Sequence, residues 1–159
     1  MSFWITLHGE IRWIIALVAA VAVVRFALGW LRTLDYKKFD RILMAVYTGF
    51  LDLNFLLGLI LLFAFGGGFP DGFPPHQIED AVTMLIEMVE NAVAALLQSS
   101  HRIEHVVTMF IAIGVAHSAI IWRKSDEANI KFRNNLIVVV VSLLFVLVGV
   151  LRLRGGWVW

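Results

Sequence analysis

Four apolar stretches of about helix length, at residues 7–31, 42–65, 101–122 and 136–151, leave this chain little choice of fold. A helix crosses a hydrocarbon core of ~30 Å with roughly 20 residues. In lipid every backbone N–H and C=O must be satisfied within the protein, so apolar runs of this kind become helices. The sequence agrees with that solvent: 60% of its 159 residues are hydrophobic and 16% are charged. A soluble domain has about 45–50% apolar and about 25% charged residues. The expected fold class is therefore an all-α membrane protein, a single antiparallel four-transmembrane-helix bundle. The first run lacks a basic leader and a small-residue cleavage site, so it reads as a retained span.

The connections carry the remaining information. RTLDYKKFDR (residues 32–41) and WRKSDEANIKFRNN (122–135) are short, charged turns, whereas Gly66–Gly68 and Pro70, Pro74 and Pro75 mark a longer loop. After that loop, residues 76–98 change character. Ile78, Ala81, Val82, Leu85, Ile86, Val89, Val93, Leu96 and Leu97 recur at helical spacing, with Glu79, Asp80, Glu87 and Glu90 on the other face. This periodicity predicts an extra amphipathic helix at the membrane surface. Its carboxylates, with no Lys or Arg among them, suit docking of a basic partner such as a soluble cytochrome as well as a solvated face.

Lys and Arg placement orients the chain. The two short turns hold Arg32, Lys37, Lys38, Arg41, Arg123, Lys124, Lys131 and Arg133, against Arg12, Arg102, Arg152 and Arg154 on the other side. The positive-inside rule then places both turns in the cytoplasm, and both termini with the amphipathic helix outside. No basic patch appears outside the connecting turns, so nucleic acid is not expected as a partner. The absence of cysteine excludes disulfides, thiolate zinc sites, iron–sulfur clusters and covalently attached haem.

Histidines supply the candidate chemistry. His101 and His105 stand at i and i+4 on one helix face, and His8 opens the first span. By the 1.5 Å helix rise, Trp30 to His8 is ~33 Å, Trp122 to His101 ~32 Å and Trp122 to His105 ~26 Å. Histidines from two spans therefore reach similar external depths. Two facing neutral imidazoles can ligate one haem iron axially in a bundle core, with Arg12 or Arg102 near its propionates. Interfacial histidines bonded to backbone, water, Glu10 or Glu104 satisfy the same pattern. HRIEH (101–105) also matches the inverted zincin motif. Its only downstream carboxylates, Asp126 and Glu127, fall on the opposite membrane face. Deeper in the membrane, Asp52, Asn54 and His117 are expected either to bond between helices or to serve a proton relay or quinone contact. Arg25 is expected to snorkel toward the cytoplasmic interface.

HGEIRW (8–13), VVRFALGWL (23–31), LLGLILLF (56–63), EHVVTMFIAIG (104–114) and HS (117–118) together carry a resemblance. The chain resembles a bacterial family of small four-span proteins, opening on an HSGxRW-type motif and labelled cytochrome b-like. The resemblance covers most of the sequence outside residues 66–100, and its polar positions match His8, Arg12 and His105. It implies His105 rather than His101 as the partner of His8, and the bacterial inner membrane as the location. A histidine that the family often carries near the position of Asp52 is missing here, which leaves at most one bis-histidine pair.

Two functional expectations follow. One is a b-type cytochrome, with haem b between His8 and His105, passing electrons between a membrane quinol and an external acceptor. A single haem at one face cannot span a ~30 Å core alone, so transfer across the membrane would require other subunits. The other is a non-catalytic accessory subunit of a larger respiratory or photosynthetic complex, consistent with the featureless fourth span and the aromatic ends at Trp157 and Trp159.

Overall fold

The computed structural model describes residues 2–65 and 100–154, with Ile86, Glu87, Val89, Glu90 and Val93 between them. The side chains at 2, 64–65, 100–103 and 152–154 fall outside that description. Among the described residues the chain is all-helical: α1 (Ser2–Leu31), α2 (Lys38–Phe65), α3 (Ser100–His117), a 3-10 turn (Ser118–Ile120) and α4 (Ala128–Arg154). Three helices are long and apolar enough to cross a membrane, within Phe3–Leu31, Lys38–Phe63 and Ala128–Leu151. The third expected span is different. Its apolar helical part, Glu104–Ile120, is shorter than the other three. The helix tightens into the 3-10 turn after His117, where Ile121 N–H donates to the Ser118 carbonyl at 3.0 Å.

Several helices start before their apolar runs do, because capping rather than hydropathy sets their ends. Asp40, in the first turn of α2, accepts a 2.7 Å bond from the Lys37 N–H, which is the reciprocal half of a capping box. At the end of α1, Leu34 N–H donates to Gly29 O at 3.0 Å and Thr33 N–H to Trp30 O at 3.4 Å. That pair of bonds is a Schellman closure. It puts Thr33, a β-branched residue, in the left-handed region at φ 48°.

α1 packs against α2 and α4, and α3 packs closely on α4 and more lightly on α2. Small residues are among those where the faces meet: Ala19 and Ala22 on α1 and Ala112 and Ala116 on α3 are fully buried, beside larger buried side chains such as Ile15, Phe26, Tyr47 and Phe132. Leu17, Val24, Leu56, Phe110 and Leu144 point outward. In water so many outward apolar side chains would be disfavoured. In lipid, close backbone approach through small residues drives helix association, and large apolar side chains can face the solvent. Gly29 marks one tight approach, since a Cβ there would run into the Phe132 ring of α4.

Several polar groups inside the helix cluster are paired. Ser142 donates its hydroxyl proton to the Val139 carbonyl at 3.1 Å, so Tyr47 must donate to Ser142 Oγ, at 2.6 Å, from the far side of the core. Arg25 does not snorkel. Its Nε and Nη2 donate to the two oxygens of Asp40 at 2.6 and 3.1 Å, and its guanidinium lies 5.2 Å from the centroid of the Phe132 ring. A fully buried carboxylate cannot stay unpaired, and this partner is near enough to outweigh the interface.

Of the amphipathic helix expected over 76–98, Ile86, Glu87, Val89, Glu90 and Val93 are described; they are helical and exposed. Its other positions lie outside the described residues.

Candidate functional site

Side chains from all four helices converge at the end of the molecule that holds the start of α1 and α3 and the end of α2 and α4. His105 Nδ1 lies 3.0 Å from the Gly149 carbonyl oxygen. A carbonyl can only accept, so Nδ1 carries the proton and Nε2 keeps its lone pair. Gly149 makes this possible by having no side chain. A Cβ there would collide with Thr108 Oγ1 and lie 3.4 Å from His105 Nδ1. The Thr108 hydroxyl itself is held by the carbonyls of Glu104 and His105, at 2.8 and 2.9 Å.

His8 reaches the same level from α1 and is half-buried. Its ring lies against α2 at Gly58, where a Cβ would come 3.2 Å from Cε1. The Asn54 backbone is its neighbour one turn earlier, and charge on His105 acts on it electrostatically. Nδ1 of His8 and Oδ1 of Asn54 are both buried without a hydrogen-bond partner. Buried polar atoms in that condition each cost about 1–3 kcal/mol, so two at one level call for a physical reason. Arg12 lies one turn below His8 on the same helix, with its guanidinium 5.7 Å from the Trp13 ring centroid.

Of the residues singled out from sequence, His8, Arg12 and His105 are thus at one end of the helix cluster. The side chains of His101 and Arg102 lie outside the described residues. Among those that are described, no three His, Asp or Glu side chains converge as a metal-ion site. The chemistry on offer is a pair of imidazoles, His105 with Nδ1 held by a backbone carbonyl and His8 seated against Gly58. An Nδ1–H bonded to a backbone carbonyl is common behind a metal-ligating histidine.

A deeper polar pair joins two helices. His117 Nε2 lies 3.0 and 3.1 Å from the two oxygens of Asp52, linking α3 to α2. This is the interhelical bond expected from sequence, with one difference. The side chains are 56% and 46% exposed, so the pair faces outward instead of into the core. Two elements escaped the sequence reading: the Arg25–Asp40 pair, and a chain from Trp122 Nε1–H to Asn135 Oδ1 and from Asn135 Nδ2–H to the Tyr36 oxygen, each at 2.8 Å. Only the aspartate at the third position of α2, where it can cap, hinted at the former.

No protein-family model, curated protein or solved structure matches this chain.

Proposed function

We propose that the protein is a b-type cytochrome of a bacterial inner membrane. In this reading α3 crosses the membrane with the other three helices as an antiparallel four-span bundle, both termini external. His8 and His105 would hold one haem b near the external face, with Arg12 or Arg102 toward its propionates. When bound, the haem supplies one-electron chemistry at a potential set by its axial ligands and their hydrogen bonds. The chain contributes the fixed His105 tautomer, the cleared glycine faces and a low-dielectric site, and carries electrons from a membrane quinol to an external acceptor such as a soluble cytochrome.

The observation that carries this reading is the His105 Nδ1–H bond to Gly149 beside a second half-buried imidazole with an unpartnered nitrogen. The test is a dithionite-reduced minus oxidised spectrum of the purified protein. A low-spin b-type band that disappears in both His8→Ala and His105→Ala is expected. Absence of that band in wild type sinks the proposal, and its survival in His105→Ala but not in His101→Ala moves the ligand to His101.

A second reading, an accessory subunit of a larger membrane complex, is favoured by one observation. The outward-facing His117–Asp52 pair lies among apolar side chains, and ionisable groups at such depth normally face protein or a cavity. Co-purification of further subunits, with no haem band, supports it.

A further inference from the structure

At the opposite end of the molecule, α2 and α3 separate where their packing is lightest. The gap is a cleft of about 620 Å³, bounded by the start of α2, the end of α3 and the start of α4. Its charge is one-sided. Lys38, Arg41, Arg123 and Lys131 line it, and no Asp or Glu does. The carboxylates of the neighbouring turns, Asp35, Asp126 and Glu127, are not part of its wall. None of the four cations is in an ion pair with a described carboxylate: the ion pairs there join Arg25 to Asp40 and His117 to Asp52. Four positive charges around one cavity repel each other unless an anion enters.

A neutral donor faces the same space. The Trp122 indole can only donate, so it fixes the Asn135 amide with its oxygen toward Trp122 and its nitrogen toward Tyr36. The Tyr36 oxygen therefore accepts, and its own proton remains to be given. Tyr36 lines the cleft, and Lys131 Nζ sits 5.5 Å from the centroid of its ring. Burial of the phenol pushes its pKa above the usual tyrosine value, so it keeps that proton at neutral pH. Further along the cleft the wall is mixed, with Ile42, Ala45, Ala116 and Ile120 beside Thr48 and His117. The cavity is thus cationic and proton-donating at one end, with apolar side chains along its wall for an acyl chain to lie against.

We propose that this cleft binds an anionic diacyl phospholipid, its headgroup phosphate held by Arg41, Arg123, Lys131 and the Tyr36 hydroxyl and an acyl chain lying between α2 and α3. Basic pockets between transmembrane helices on the cytoplasmic side are suited to such headgroups, each basic side chain contributing roughly a factor of five in affinity. The site is independent of the haem reading and needs only that the helices lie in a membrane.

The test is thermal unfolding of the intact chain, delipidated in a neutral detergent, on addition of phosphatidylglycerol, phosphatidylcholine or inorganic phosphate. Phosphatidylglycerol is expected to raise the midpoint saturably, with phosphatidylcholine giving little and millimolar phosphate nothing. Arg41→Gln/Arg123→Gln should weaken the phosphatidylglycerol effect by about thirty-fold, with its unfolding midpoint in detergent alone unchanged. Tyr36→Phe, which keeps every charge, should weaken it by a smaller factor and serves if the double variant fails to fold. Equal stabilisation by both lipids, an undiminished effect in the variants, or full stabilisation by phosphate alone overturns the proposal.

Discussion

Removing either member of the Arg25–Asp40 pair should destabilise the protein, and the two losses should be unequal. Asp40 is completely buried, whereas Arg25 is 26% exposed. Breaking a buried ion pair from one side costs about 3–5 kcal/mol, because the other charge is left uncompensated. In Arg25→Met the Asp40 carboxylate keeps only the Lys37 N–H, having lost both guanidinium bonds, which places the cost near the upper end, about 4–5 kcal/mol. In Asp40→Asn the amide oxygen can still cap Lys37, and Arg25 can reach outward from the Phe132 face, so about 2–3 kcal/mol is expected. The double variant carries no buried charge, and replacing both members of such a pair is often nearly neutral. It should therefore recover about 2 kcal/mol or more relative to Arg25→Met alone, a coupling well above the ~0.5 kcal/mol expected of independent sites. The assay is reversible unfolding in mixed micelles by added SDS, followed by far-UV circular dichroism and tryptophan fluorescence. Additive single costs, or a double variant less stable than Arg25→Met, would refute the assignment of this pair as the electrostatic clamp between α1 and α2.

Two further outcomes follow from the turns at the same end. Thr33→Gly should stabilise the protein by about 0.5–1 kcal/mol in the same assay, because the left-handed cost of a β-branched residue, about 1–2 kcal/mol, outweighs the extra freedom glycine gives the unfolded chain; a neutral or harmful effect would remove the Schellman closure as the cause. In a Tyr47→Phe background Tyr36 is the only tyrosine. Its absorbance titration at alkaline pH should then have a midpoint above the ordinary value of about 10. The sign for stability follows: below about pH 10 both folded and unfolded states hold the phenolic proton and the contribution is constant. As pH rises beyond that, the unfolded chain ionises first and stability falls. A midpoint at or below that of free tyrosine would show that burial does not govern this phenol.

That His8 and His105 lie toward the same end of the molecule was legible from a helix rise and two tryptophan markers, because membrane thickness puts residues on different spans onto a common ruler. The ruler gives depth and no partner. Helical depth says nothing about azimuth, and the partners turned out to be Asp52 for His117 and Ser142 for Tyr47. Arg25 was misjudged for a related reason. Snorkelling is the default for an isolated arginine near an interface, but Asp40 lies fifteen residues on, and only the turn between α1 and α2 brings it within 2.6 Å. Asn135 was grouped with a charged turn. The helix begins at Ala128, and that shift puts its amide inside, between Trp122 and Tyr36.

By itself, then, the sequence determined the solvent, the helical class and the approximate position of the apolar segments, three of which are long enough to cross a membrane. All of these depend on composition and on periodicities along one chain, which lipid enforces through the cost of an unsatisfied backbone. Tertiary structure alone decided which way each side chain turns: the tautomer of His105, the glycine faces at 58 and 149, the outward His117–Asp52 pair and the cationic cleft between α2 and α3. Those features depend on helix rotation and on contacts between distant residues, including pairs 95 and 99 positions apart. In a membrane, small residues that allow close approach govern such contacts, and hydropathy leaves them undetermined.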